Sequence, residues 1–311
     1  MRHLLWIVPL AVALWELVAH VTIQQGVVTE EDWRRAAEVV KADVRPKDLI
    51  ISAPEWTDPM LRLVLGDHIS VAAAGRSDLA PFERVWALSI RGVDPEGAPP
   101  GEPAMDRQVG KIRVRRWDLG PSPVVYDFVE HALSAKVSLS VEGAFKPCPL
   151  EKMPKATGSG LGKGPAKPEH RFVCDRKRRW LDVVVTTIQD LDLEPRHCIW
   201  QRPPGQAPLR MVFDEVDSGD RLVVHSGLYY RHERHRTGAD VRLRISSVDE
   251  TGAETLIGSS VHRDGDGFVT QQYRLSNTAE PLRLAFDVSA DHPKQRGFCW
   301  SGNVRRGDRE P

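Results

Sequence analysis

The sequence has no excess of charge of either sign, because 43 Lys and Arg residues balance 43 Asp and Glu residues. A general nucleic-acid-binding protein carries a basic excess that neutralises phosphates, so we expect no nucleic-acid partner. The chain also has no Cys-x-x-Cys pair, no Gly-rich phosphate loop after its first predicted strand and no Gly-x-Ser-x-Gly nucleophile elbow. Because no complete catalytic motif is present, we assign no catalytic residue and predict no cofactor.

What remains is the composition of a folded, multidomain protein. The 311 residues are 41% apolar and 28% charged, which excludes wholesale disorder. A chain of this length predicts two compact units. The 23 prolines and 24 glycines further predict many turns and more strand than helix.

Residues 1–26 are predicted to be a transmembrane anchor or a signal segment. The run from Leu4 to Ile23 is apolar and long enough to cross a bilayer core of roughly 30 Å. Arg2 precedes this run and acidic residues at 30–32 follow it, which favours a cytoplasmic N-terminus. We expect an inner-membrane anchor with the bulk of the chain in the periplasm or outside the cell. A cleaved signal peptide and the end of a longer membrane protein are the alternatives, and both also export the remainder.

The cysteines support export. Cys148, Cys174, Cys198 and Cys299 form an even set that permits three connectivities. We favour a Cys148–Cys174 bridge at the base of a loop rich in Gly, Pro and Lys. Cys198 and Cys299 then pair across nearly the whole C-terminal domain. Four buried free thiols in a reduced protein are the alternative.

Residues 27–93 are predicted to form a small α/β domain. The segment Thr29–Val44 begins with a Thr-x-x-Asp cap and places its apolar residues on one helical face. The apolar runs LIISAP and ERVWALSIRG are typical of buried strands, and a short helix beginning near Asp58 or Pro59 lies between them. This order of helices and strands indicates a small α/β unit with parallel strands.

The C-terminal two thirds of the chain predict an antiparallel β-sandwich. The Pro- and Gly-rich residues 94–110 are predicted to be a linker, and residues 307–311 a polar tail. Between them, residues 111–306 contain many short segments, from KIRVRRWDL to GFCWSG, several of which alternate apolar and polar residues. The fold class is therefore α+β multidomain: a membrane anchor, a small α/β unit and a jelly-roll-like sandwich whose first and last core strands lie side by side.

One stretch of the sequence resembles a known family. DLIISAPEWTDPMLRLVLGD followed by ERVWALSIRG is similar to the extracytoplasmic C-terminal region of bacterial membrane glycosyltransferases of the dolichyl-phosphate-mannose mannosyltransferase type. The resemblance covers residues 1–95 and implies a polyprenyl-linked sugar as substrate. Such enzymes carry an acidic catalytic motif between membrane helices, whereas this chain has one possible span, so no catalytic residue carries over. The C-terminal part is similar to carbohydrate-binding β-sandwich modules.

The segment GLYYRHERHR, residues 227–236, is the main candidate ligand site. Aromatic faces stack on the C–H-rich faces of sugar rings, while Arg, Glu and His side chains bind hydroxyl groups. The candidate ligand-binding residues are Tyr229, Tyr230, Arg231, Glu233, Arg234, Trp200 and Trp300. The alternative is a solvated basic hairpin whose tyrosines pack into the core.

A second candidate site is the segment HRDGDG, in which Asp264 and Asp266 resemble the start of a calcium-binding loop. Such a loop needs a bidentate Glu near position 275, where this chain has Leu275. A tight Asp-Gly hairpin explains the same residues without an ion. Calcium bound through other ligands is the alternative.

Together these features predict a non-enzymatic, membrane-tethered protein of a bacterial envelope, whose sandwich binds a glycan or another envelope component. The alternative is an accessory or detached soluble part of a membrane glycosyltransferase that acts on polyprenyl-linked sugars, with a multi-span membrane partner. A third interpretation is a structural scaffold without a small ligand.

Overall fold

The computed structural model describes residues 7–153, 168–276, 280–294 and 296–307. The chain divides into two compact units, one formed by residues 1–69 and 84–119 and the other by residues 70–83 and 120–311. The helices are α1 (Ile7–Gly26), α2 (Glu30–Lys41), α3 (Asp58–Leu65), α4 (Val71–Ala74) and α5 (Tyr230–Glu233). The strands are β1 (Asp48–Ala53), β2 (Arg84–Ile90), β3 (Met105–Val109), β4 (Ile112–Asp118), β5 (Val124–Asp127), β6 (Lys136–Val141), β7 (Ala144–Pro147), β8 (Leu150–Lys152), β9 (His170–Phe172), β10 (Val184–Gln189), β11 (Pro195–Trp200), β12 (Leu209–Val216), β13 (Arg221–Leu228), β14 (Val241–Val248), β15 (Glu254–His262), β16 (Val269–Arg274), β17 (Leu282–Ala290) and β18 (Phe298–Arg305).

Helix α1 is long and apolar enough to cross a membrane, judged by its length and composition. Its 20 residues extend about 30 Å at 1.5 Å per residue, the thickness of a bilayer core. None of the side chains in Ile7–Gln24 is buried in the protein. The N-terminal segment is therefore an apolar helix without a protein core around it.

In the first unit, helix α2 begins as the sequence predicts. The Thr29 hydroxyl accepts a hydrogen bond from the Asp32 amide at 3.2 Å, and the Asp32 carboxylate accepts one from the Thr29 amide at 3.0 Å. This reciprocal capping box satisfies two amides that the first helical turn leaves free. The buried face of α2 packs on a four-stranded sheet of order β1-β2-β4-β3, in which β1 and β2 are parallel.

The boundary between the units differs from the sequence prediction. Strands β3 and β4 continue the small sheet, because β4 pairs antiparallel with β2 along its whole length, from Arg84–Asp118 to Ile90–Ile112. The first unit therefore ends at Leu119 rather than at residue 93, and the predicted linker 94–110 contains strand β3. The physical reason is that Ile112 and Val114 fill the core beneath α2, whereas the alternating pattern alone fits a strand of either sheet.

The second unit is the predicted antiparallel β-sandwich. One six-stranded sheet has the order β10-β11-β18-β13-β16, with β5 paired to β18, and is called here the β13 sheet. The other, called the β14 sheet, has the order β15-β14-β17-β12-β6-β7. The inward side chains of both sheets form one core, at whose centre Trp300 stacks on Phe286 with ring centroids 4.3 Å apart. The fold is thus α+β with a jelly-roll-like sandwich.

Residues 70–83 lie between β1 and β2 in sequence but pack on the sandwich. The Gly75 carbonyl accepts a hydrogen bond of 2.7 Å from the His197 amide on β11. Asp78 contacts His225 Nε2 at 3.1 Å and also forms an ion pair with Arg305. The sandwich unit is therefore discontinuous in sequence, a feature that composition and periodicity did not indicate.

Both predicted disulfide bonds are present. Cys148 pairs with Cys174, and Cys198 on β11 pairs with Cys299 on β18. The second bridge joins neighbouring strands, since Trp200 of β11 lies opposite Cys299 of β18. β11 is preceded in the sandwich by β5, β6, β7 and β10, so Cys198 does not lie on the first core strand as predicted; the first strand, β5, does pair with the last, β18.

Candidate functional site

The predicted ligand segment starts where β13 ends, next to the beginning of β18. Tyr229 follows β13 directly, and its amide donates a hydrogen bond of 2.8 Å to the Gly297 carbonyl. The Gly297 amide in turn donates to Nδ1 of His232 in helix α5, also at 2.8 Å. A Cβ atom at Gly297 would lie 2.1 Å from the Trp200 ring, so only glycine allows this close approach. Backbone hydrogen bonds therefore fix the segment to the sheet.

Trp200, Tyr229 and Tyr230, called here the aromatic cluster, are brought together at this end of the β13 sheet. The ring centroids of Trp200 and Tyr229 are 6.0 Å apart and those of Tyr229 and Tyr230 are 4.9 Å apart, both in edge-to-face geometry. All three side chains are half-buried. Trp200 and Tyr229 pack over the Cys198–Cys299 disulfide, which gives the cluster a rigid base.

Basic side chains border the aromatic cluster. The Arg231 guanidinium lies 5.7 Å from the Tyr230 ring centroid, and its Nε donates a hydrogen bond of 2.9 Å to the Tyr230 hydroxyl. This hydrogen bond lowers the pKa of Tyr230. Arg234 is exposed one helical turn after Tyr230. Half-buried aromatic rings therefore lie beside guanidinium donors, two kinds of group that contact sugar rings and their hydroxyl groups.

His232 lies beneath this surface as a neutral structural residue. Burial, together with the positive charges of Arg202 and Arg296, lowers the pKa of His232 to about 4. Its Nδ1 atom accepts the hydrogen bond from Gly297, which requires the unprotonated nitrogen. His232 therefore holds the backbone of the site and carries no charge at neutral pH.

Two predicted site residues are corrected by the structure. Trp300 is fully buried, and its indole Nε1 donates a hydrogen bond of 2.9 Å to Gln201, so it is a core residue and not a ligand contact. Glu233 is 1% exposed, and its carboxylate accepts hydrogen bonds from the Gly265 and Gly267 amides at 3.1 and 2.8 Å. Burial raises the pKa of Glu233, and the side chain supports the neighbouring turn instead of reaching solvent.

Both carboxylates of the predicted calcium site, Asp264 and Asp266, bind protein groups. Asp264 forms a two-pronged ion pair with the buried Arg296, at 2.8 and 2.9 Å. Asp266 accepts a hydrogen bond of 2.8 Å from the Arg263 amide, as in a tight turn. Within the ranges that the structure describes, no group of three His, Cys, Asp or Glu side chains is placed to hold a metal ion. The geometry favours the hairpin interpretation.

Sequence reasoning missed the contact between Arg202 and Trp180. The Arg202 guanidinium lies 5.1 Å from the ring centroid of Trp180, and its charge lowers the pKa of His232. Arg202 follows Trp200 closely in the sequence, whereas Trp180 lies in a basic stretch that precedes β10. Only the fold brings the two together, and no sequence signal could have found the pair.

Comparison with known proteins leaves the family of the chain open. No protein-family model matches the sequence, and no curated protein matches it. The resemblance of residues 1–95 to membrane glycosyltransferases thus finds no support.

Several solved carbohydrate-binding β-sandwiches overlap part of the chain. The CBM51-2 and INT domains of Clostridium perfringens ZmpB, in complex with GlcNAc, are 9% identical, with a TM-score of 0.28 over 39% of this chain and 26% of that one. The tandem CBM51 modules of a Streptococcus pneumoniae family 98 glycoside hydrolase are 10% identical, with a TM-score of 0.30 over 41% and 38%. A cellulose-specific CBM28 module is 10% identical, with a TM-score of 0.30 over 40% and 80%. The chain spans well under half of the first two structures, and similarity this low carries no argument about a ligand.

Proposed function

We propose that this protein is a non-enzymatic glycan-binding protein, tethered to a membrane by α1, with its sandwich outside the cytoplasm. The observation that carries the proposal is the half-buried aromatic cluster bordered by Arg231 and Arg234 on a backbone that the Cys198–Cys299 bridge supports. Flat aromatic surfaces with adjacent hydrogen-bond donors suit sugar rings, and the rigid base lowers the entropy lost on binding.

The location rests on two independent features. Disulfide bonds persist in oxidising compartments and are rare in the cytosol, and this chain has two of them. Helix α1 has the length and composition of a membrane anchor. A multi-span glycosyltransferase partner is favoured by no observation on the described residues, so it is not part of the proposal.

The binding site is tested by a glycan array probed with the full chain in detergent. We expect Tyr230→Ala and Arg234→Ala to weaken binding roughly 2- to 10-fold each, the effect of losing one stacking or hydrogen-bonding group. Phe145→Ala is the matched control, because Phe145 is 45% exposed on the β14 sheet and contacts Arg210 much as Tyr230 contacts Arg231. Unchanged binding in both site variants, or an equal loss in the control, would refute the site.

The tether is tested separately by cell fractionation. We expect the full chain in the membrane fraction after alkaline carbonate washing, and thiols that resist alkylation until a reductant is added. A soluble cytosolic protein with reactive thiols would refute the location while leaving the binding experiment unaffected.

A further inference from the structure

Among the residues that the structure describes, the half-buried Arg202 has no carboxylate partner, unlike Arg84, Arg210 and Arg296. Arg84, Arg210 and Arg296 each form hydrogen-bonded ion pairs with aspartates at 2.6 to 2.9 Å. The side chain of Arg202 contacts the Trp180 ring, and its buried Nε has no hydrogen-bond partner among the described residues. Burial lowers the pKa of Arg202, whereas ion pairing raises the pKa of Arg84 and Arg210. A partly buried cation without a counter-charge is costly to the free protein, and an anionic ligand would offset that cost.

Two acidic side chains in this part of the sandwich, Glu233 and Asp264, bind other groups. Glu233 accepts from two backbone amides, and Asp264 is held by Arg296. Arg231 and Arg234 lie on the same segment as His232, and the positive charge of Arg202 contributes to the lowered pKa of His232. An anion that enters here meets guanidinium groups, and burial raises the pKa of the neighbouring Glu233, which favours its uncharged form.

From this geometry we infer that the surface selects glycans that bear a carboxylate, such as hexuronate polymers, with Arg202 binding the carboxylate and the aromatic cluster binding the sugar rings. The inference rests on the proposed glycan-binding function and names the class of glycan. A guanidinium presents two parallel N–H groups that match the two oxygens of a carboxylate. The Trp180 ring contacts the Arg202 guanidinium through a cation–π interaction. This contact orients the guanidinium before a ligand binds.

A singly charged carboxylate fits this site better than a phosphate dianion. His232 is neutral at pH 7, and its Nδ1 is occupied by the Gly297 amide, so it adds no second positive charge. Arg231 already donates its Nε to the Tyr230 hydroxyl. Arg202 is half-buried whereas Arg231 and Arg234 are exposed, so the partly buried place offers one guanidinium for one negative charge, and a dianion held there would keep part of its charge uncompensated.

The test uses acidic oligosaccharides and their neutral methyl esters, which share one sugar backbone. Galacturonate, glucuronate and mannuronate oligomers, each with its methyl ester, are titrated by calorimetry into the full chain in detergent at low and at high salt. We expect at least one acid to bind about tenfold more tightly than its ester, with a difference that shrinks as salt rises. Arg202→Gln should abolish this preference without weakening the ester, whereas Tyr230→Ala should weaken acid and ester alike.

The controls separate the inference from the proposed function. Arg107→Gln removes the same charge from an exposed position in the other unit and should leave the preference intact. Arg202→Lys keeps the positive charge but lacks the planar guanidinium, so this variant should retain only part of the preference for the acid over the ester. Equal binding of acids and esters would overturn the carboxylate inference and leave glycan binding standing, and binding of neither would overturn both. Tighter binding of a sugar phosphate monoester, which is close to a dianion at pH 7, than of every uronate would overturn the choice of carboxylate over phosphate.

Discussion

Trp300 and Gln201 are joined by a hydrogen bond inside the sandwich, from the indole Nε1 to the amide Oε1 at 2.9 Å. Both side chains are fully buried. The Gln201 Nε2 atom donates to the Leu209 carbonyl at 2.6 Å, so this one amide links β18 to the start of β12. The pair explains why a tryptophan, with its polar N–H, is stable at the centre of the core.

The first prediction concerns this pair. Gln201→Ala leaves the indole N–H and the Leu209 carbonyl without partners, and we expect it to lower the free energy of unfolding by about 2 to 4 kcal/mol, since each unsatisfied group costs about 1 to 3 kcal/mol. Urea unfolding measures the change. Gln189→Ala, at an exposed position on β10, is the control and should change stability little. Equal stability of the two variants would show that the hydrogen bond contributes nothing.

The second prediction concerns Gly297. In Gly297→Ala the new methyl group would lie 2.1 Å from the Trp200 ring and 2.9 Å from His232 Nδ1, so Trp200 must move. We expect glycan binding to fall together with stability, the latter by about 1 to 3 kcal/mol. Gly258→Ala is matched in crowding, because its methyl group would lie 2.1 Å from Tyr273. That control should destabilise the sandwich without weakening binding, and a loss of binding in both variants would remove the special role of Gly297.

The third prediction concerns His262 and pH. Burial lowers the pKa of His262 to about 4, against about 6.5 in the unfolded chain. Between these values the unfolded state binds one proton more than the folded state, so His262 makes stability fall as the pH decreases from about 6.5 to about 4. We expect His262→Gln to reduce the slope of unfolding free energy against pH by up to about 1.4 kcal/mol per pH unit.

The control for this pH effect is His68→Gln, which changes an exposed histidine. Unfolding curves recorded between pH 4 and pH 7 should be parallel for this control and the unmodified chain. His232 has a pKa lowered in the same direction, so part of the slope should persist in His262→Gln. A slope unchanged by His262→Gln would contradict the prediction.

The fourth prediction concerns the two disulfide bonds. The bridges span 26 and 101 residues, and loop entropy predicts that removing them costs about 3 to 4 and about 5 kcal/mol respectively. We expect the double variant Cys198→Ala/Cys299→Ala to be the less stable of the two in urea. Intact mass after alkylation should show no modified thiol without reductant and four with it. A larger loss from Cys148→Ala/Cys174→Ala would reverse the order and contradict the loop argument.

Local signals in the sequence were sufficient for several elements. The Thr29 cap and the spacing of Trp33, Ala36 and Val40 predicted α2, because capping and helical periodicity act within a few residues. The helix ends at Lys41, earlier than Val44, since helix ends fray and are weakly encoded. The disulfide pairing followed from the loop between Cys148 and Cys174 and from the order of the strands.

The errors arose where one pattern fits two environments. Apolar and polar residues alternate in Ile112–Asp118, a pattern that fits a strand of the small sheet and a strand of the sandwich equally well. Pairing with β2 places this segment in the small sheet. Cys299 and Trp300 are both apolar, so period two could not show which of them faces the core. The contact of Arg202 with Trp180 joins segments that are distant in sequence, so no local pattern could predict it.

Residues 70–83 interrupt the first unit and pack on the sandwich. This arrangement limits how the protein can be divided into fragments and how its gene can be rearranged. The chain crosses between the units at 69–70, 83–84 and 119–120, so a protease cut near residue 69 releases residues 1–69 covalently while residues 84–119 of the first unit stay joined to the sandwich unit. A continuous stretch of gene that encodes the complete sandwich must also encode β2, β3 and β4 of its neighbour. We therefore expect the coding sequences of the two units to be duplicated, transferred or lost together and not to be exchanged separately between genes.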